Sequence, residues 1–157
     1  AQLAGSLPGS RLAPAPTSTQ ALATALDAEH AAIYAYGPIG VRLKGAAAEQ
    51  ARSAEAAHRS RRDGLVLLLT EQGATVPAAE PAYALPFPVT DEASALRLAV
   101  EVEERTAAVW RAALPATEGA QRGRALDGLT DTAVRATRWR KAAGVSPATV
   151  PFPGRPA

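Results

Sequence analysis

A chain of 157 residues fits one domain and can bury a core without disulfide or metal staples. Hydrophobic residues make up 47 % of it and aromatic residues 4 %, and much of the apolar content is alanine, which favours closely packed helices over a sheet core. The 17 basic and 15 acidic residues give a net charge of +2 with no basic stripe, there is no cysteine, and no apolar run approaches the roughly eighteen residues of a membrane span, so nucleic-acid binding, thiolate chemistry and a membrane span are excluded from the expected functions.

Residues 1–16 are small, polar and proline-punctuated, and their lack of hydrophobic period predicts a disordered N-terminal arm. Helix 1 is expected to start at Thr17, because Thr17-Ser18-Thr19-Gln20 has capping-box spacing: hydroxyl and amide satisfy backbone donors that a first turn leaves open. Its stripe reads Leu22, Leu26, Glu29, Ile33 and Tyr36, with a carboxylate in the middle of an apolar face. Gly37-Pro38 predicts a kink or a break, since proline cannot donate to the ladder and disfavours a helical residue before it. A second break is expected at Gly45.

Helix 2 is predicted from about Ala46 to Gln72, closed by Gly73. Ala51, Glu55, His58, Arg62, Leu65 and Leu69 form its stripe, which places the Glu-x-x-His pair Glu55 and His58 on the buried face. Residues 73–90 follow with Pro77, Pro81, Pro86 and Pro88, too irregular for a helix and too long for a turn between neighbours. At roughly 3.3 Å per extended residue such a segment spans the about 38 Å of a 25-residue helix, so it reads as a crossover that sets helices 2 and 3 parallel. Helix 3 is expected from Thr90 or Asp91 to just before Pro115, with Leu96, Val100, Glu103, Ala107 and Trp110 as its stripe. Helix 4 covers roughly Thr117–Ala143, with Leu126, Leu129, Ala133, Ala136 and Arg140 in register, and Gly144 stops it. Gly119, Gly123 and Gly128 each weaken it by about 1 kcal/mol relative to alanine. The bundle is thus expected over residues 17–143, and 144–157 form a proline-rich C-terminal tail whose Phe152 folds back onto it.

The segments LDAEHAAIYAYG, AEAAHRSRRDGL, EVEERTAAVW, RATRWR and PFPG, with the proline-rich crossover among them, resemble an uncharacterised, alanine-rich branch of the ferritin-like superfamily, itself a domain of unknown function. The resemblance runs over most of residues 20–154. It implies an all-α, ferritin-like left-handed four-helix bundle with one long crossover between helices 2 and 3, assembled as a homodimer, and it implies no activity. In metal-loaded relatives of the wider superfamily, helices 1 and 3 each give a glutamate and helices 2 and 4 a Glu-x-x-His. The resemblance carries those roles to Glu29, to Glu55 with His58, and to Glu103. Helix 4 departs from the pattern: Thr130 and Val134 stand three residues after Asp127 and Asp131, and no histidine follows His58. One iron or manganese ion is the most this set could hold, not a symmetric di-iron pair.

A buried carboxylate requires a cationic or hydrogen-bonding partner, and arginines offer an alternative to metal, Arg59 or Arg62 for Glu55 and guanidinium groups of helix 2 or 4 for Glu103. The expectation is therefore a non-catalytic bundle without a cofactor, acting through binding or self-association around a vestigial polar centre of Glu29, Glu55, His58 and Glu103. The alternative is an iron- or manganese-binding oxidoreductase or storage protein that uses the same residues as ligands. His30 points about 100° away from Glu29 and is expected exposed or at an interface. Tyr34, Tyr36, Trp110 and Trp139 are expected as core or interface anchors. Arg59, Arg61, Arg62, Arg135, Arg138 and Arg140 spread around their helices and are expected on solvated faces. The absence of methionine leads us to expect a processed or truncated product, from which a segment such as a signal peptide was removed, and the compartment stays open between cytoplasm and export.

Overall fold

The structure is a computed structural model that describes residues 14–155; of the arm expected over 1–16, residues 1–13 lie outside the described residues. Among the described residues there are four α-helices and no strand: α1 (Ser18–Gly40), α2 (Gly45–Glu71), α3 (Glu92–Ala113) and α4 (Gly119–Ala142), with one 3₁₀ turn (Leu114–Ala116) before α4. Helix α1 begins where the capping box predicts, with Gln20 N donating to Thr17 Oγ1 at 3.2 Å and Thr17 N to Gln20 Oε1 at 2.9 Å. The break expected at Gly37-Pro38 does not occur. Pro38 sits in the last turn, where it removes one ladder bond, and the flanking Tyr36 and Ile39 are buried in the core and hold that turn helical. The chain turns instead at 41–44 and re-enters helix at Gly45, whose φ of 57° favours glycine.

Helix α2 closes through Gly73, with Ala74 N donating back to Leu69 O at 3.0 Å. Residues 72–91 contain neither helix nor strand and are tied to the helices by side chains: the rings of Tyr34 and Tyr83 lie 5.5 Å apart, and Arg97 stacks 4.5 Å over Phe87. Asp91 caps α3 by accepting from Ser94 N at 2.8 Å. In α4, Gly128 is a packing site rather than a weak spot: a Cβ added there would stand 2.6 Å from ring carbons of Trp110, so the glycine is what admits the indole.

Helix α1 packs on α2 and α3, and α3 on α4, whereas α2 and α4 meet only loosely. Buried apolar side chains form two clusters. One includes Leu22, Leu26, Leu65, Leu69 and Trp110; the other includes Tyr36, Ile39, Leu98, Val102 and Trp139. The gap between them is filled by polar residues of the candidate site. After Gly144 the tail returns along α3 and α4, where Arg140 Nε donates to Pro147 O and Arg111 Nη1 to Pro153 O, each at 2.9 Å. Phe152 is 56 % exposed and lines a groove with Ala107 of α3 and Ala136 of α4, and the returning backbone comes close to α3 at Gly154, where an added Cβ would stand 2.7 Å from Ala107 O. Among the described residues no helix is long and apolar enough to cross a membrane.

Candidate functional site

Three of the four residues singled out in the sequence meet in the interior. Glu29 from α1, His58 from α2 and Glu103 from α3 are each fully buried. His58 Nδ1 lies 2.5 Å from Glu29 Oε2, and Nε2 lies 2.9 Å from Glu103 Oε1. A carboxylate oxygen accepts, so both ring nitrogens donate and the ring is an imidazolium. Burial alone would lower the His58 pKa, but the two carboxylates, Glu103 foremost, raise it from its ordinary 6.5 to about 9. Burial likewise works against ionised Glu29, yet His58 and then Arg61 outweigh it and hold the carboxyl below its ordinary range.

The network continues on both sides. Glu29 Oε1 accepts from Arg61 Nε and from Trp110 Nε1, each at 2.8 Å. Arg61 Nη1 donates at 2.5 Å to Asp131 Oδ2 on α4, which also accepts from Arg135 Nε at 3.1 Å. Partial burial would raise the Asp131 pKa, but these two arginines lower it. Arg61 Nη2 is 3.0 Å from His58 Nδ1; with the Nδ1 proton aimed at Glu29, this is an approach of two donors converging on one carboxylate, not a hydrogen bond. On the other side Tyr36 Oη donates to Glu103 Oε1 at 2.6 Å and accepts from Trp139 Nε1 at 2.9 Å. Burial first, and the Glu103 charge second, push the Tyr36 hydroxyl well above its usual pKa, so it remains a donor. The carboxylates of Glu29 and Glu103 thus face one imidazolium and one guanidinium, and the buried charge balances. One atom is left over: Glu103 Oε2 is buried and has no hydrogen-bond partner among the described residues.

Glu55 does not join this group. Its side chain is 31 % exposed and accepts from Arg59 Nη2 at 2.7 Å. The 3.6-residue period lets a stripe pass from Ala51 to His58 by steps of three then four, which buries Ala54 and turns Glu55 outward. The same shift brings Arg61 rather than Arg62 inward. Arg61 stands three residues after His58 on one face, the spacing that could have marked it as the partner. The indoles of Trp110 and Trp139 are buried as expected, and their N–H roles follow from a rule the sequence permits: a buried indole needs an acceptor, and a buried carboxylate needs donors. His30 is not exposed; it is 8 % accessible, and its Nε2 donates to Pro77 O at 3.1 Å, which ties the 72–91 connection to α1.

This arrangement can be tested against a metal ion. His58 uses both ring nitrogens and Glu29 both oxygens on side-chain partners, and the remaining inward-facing ligand atom is Glu103 Oε2. Among the described residues no group of three or more His, Asp or Glu side chains is placed to hold a metal ion. So arranged, the donor set does not fit the several ligands that iron or manganese requires.

These features define an all-helical domain whose four helices meet in one buried, charge-balanced hydrogen-bond network. The chain belongs to the family described as a domain of unknown function (DUF4439), which matches residues 21–157. Among solved structures, the crystal structure of a conserved hypothetical protein, rv2844, from Mycobacterium tuberculosis is similar, with 39 % sequence identity, a TM-score of 0.77, and coverage of 80 % of this chain and 96 % of that chain. No curated protein matches the chain.

Proposed function

We propose that residues 17–143 form a ferritin-like bundle in which organic cations have taken the place of metal, and that the domain is a non-catalytic scaffold acting through binding or self-association as a homodimer. The observation that carries this reading is the saturation of His58 and Glu29 by side-chain partners, with Arg61 supplying the second positive charge. The topology is supported by the sense of the contacts. Residue numbers rise on α1 as they fall on α2 in the pairs Thr19–Gln72 and Glu29–His58, and they do so again on α3 in Glu29–Trp110 and Tyr36–Glu103. Two helices each opposed to α1 run parallel to each other, as a crossover over 73–90 requires.

The unpartnered Glu103 Oε2 favours a second reading, an iron or manganese protein in which Glu29, His58 and Glu103 rearrange about an ion with Glu55 in reach. Thermal melts of the wild type and His58→Ala, with and without anaerobic iron(II) or manganese(II), separate the two, because an ion that binds the native state raises its melting temperature. The scaffold reading expects no metal-dependent shift in either protein. An upward shift in the wild type that vanishes in the variant would reverse the choice. A monomeric mass at all micromolar concentrations would remove the dimer.

A further inference from the structure

The seam between α2 and α4 holds a groove that borders the buried centre at one residue, Arg61. This groove of about 440 Å³ is lined by Ser60 and Arg61 of α2 and by Ala120, Gly123, Arg124 and Asp127 of α4. The Arg124 guanidinium reaches across the seam onto α2 at Gly64, where an added Cβ would stand 2.6 Å from its Nη1. Gly64 lies inside a helix and its φ is not positive, so the backbone does not require glycine there. A mid-helix glycine costs about 1 kcal/mol relative to alanine. The space it leaves is what the guanidinium occupies.

Arg61 is engaged by Glu29 and Asp131, and Arg135 by Asp131. Arg124, by contrast, makes no ion pair and no side-chain hydrogen bond among the described residues, and neither does the Ser60 hydroxyl on the same wall. A guanidinium presents a planar fork of donors that matches the oxygens of a phosphate or carboxylate. We propose that Arg124, seated over Gly64, and Ser60 form a binding site for a small oxyanion, a phosphate- or carboxylate-bearing molecule held in the α2–α4 groove. Asp127, one turn along α4, weakens anion binding and gives the site a carboxylate of opposing sign. The inference goes beyond the scaffold reading and does not depend on whether the buried centre ever holds a metal.

The test is a titration of the full chain with inorganic phosphate and, separately, citrate at constant ionic strength, followed by the NMR signals of the arginine side chains. Saturable binding is expected, and Arg124→Gln should weaken it by about tenfold, the loss that goes with a charge-assisted hydrogen bond. Gly64→Ala should weaken it to a similar degree while raising the melting temperature, because alanine favours the helix and the flexible arginine tip can move aside. Weaker binding in a more stable variant cannot be ascribed to unfolding. Asp127→Asn should tighten it. Response to phosphate alone, to citrate alone or to both identifies the oxyanion. Absence of saturable binding for both anions, or binding that survives both Arg124→Gln and Gly64→Ala, would overturn the proposal.

Discussion

The buried centre and the α2–α4 seam use the same residue types to opposite ends. In the centre, Glu29, His58 and Glu103 are fully buried, Arg61 reaches in from the surface to Glu29, and each charge is matched within hydrogen-bond distance. Along the seam the helices stand apart, and long arginine side chains bridge them while Arg124 keeps an unmatched guanidinium. Charge placed where helices touch fixes the fold, and charge placed where they part is free for a ligand. The difference lies in burial, since desolvation makes an unmatched charge costly inside and nearly neutral outside.

The strongest way to break this contrast is His58→Leu, which leaves two carboxylates inside without their imidazolium. Urea unfolding should show a loss of about 3–5 kcal/mol, as for other buried pairs stripped of one partner. A loss below about 1 kcal/mol would mean that the centre does not hold the fold together. The pH dependence tests the same link in the wild type. A histidine pKa raised from 6.5 to about 9 stabilises fully below 6.5, and the benefit is lost as pH climbs through about 9. It amounts to roughly 3 kcal/mol, and the His58→Leu variant should lack that alkaline slope. Glu29 acts in the opposite direction, its contribution being present above its ordinary 4.5 and lost as acid titrates the depressed group.

Gly128→Ala comes next. Despite the better helix former, the collision with Trp110 should destabilise by about 1–3 kcal/mol in chemical denaturation. This is the opposite sign to Gly64→Ala, whose obstacle is a movable arginine tip. Smallest is Glu55→Ala, which removes a half-exposed i,i+4 pair with Arg59 and should change stability by less than about 0.5 kcal/mol. A large effect there would place Glu55 inside the working centre after all.

The helices were legible because their ends carry local chemistry. Thr17 with Gln20, Gly73 and Asp91 act within a few residues of themselves, and the structure places caps at each. Glu29, His58 and Glu103 were legible because a lone polar residue in the middle of an apolar stripe has to be satisfied. What local pattern cannot settle is a rotation of about 100°, the angle between neighbouring positions on a helix. That ambiguity exchanged Ala54 for Glu55 and Arg61 for Arg62 on α2, and Ala125 for Leu126 on α4. The fit of Gly128 to Trp110 depends on two helices at once, so a reading along one chain segment sees only the weak helix former.

The hydrogen-bond chain from Trp139 through Tyr36, Glu103, His58, Glu29 and Arg61 to Asp131 draws a member from every helix. Detaching any one helix strands either a charge or a buried donor on those that remain. Partly assembled forms are therefore penalised, and the four helices should open as one cooperative unit, with the slowest-exchanging amides of all four sharing a single opening free energy equal to that of global unfolding.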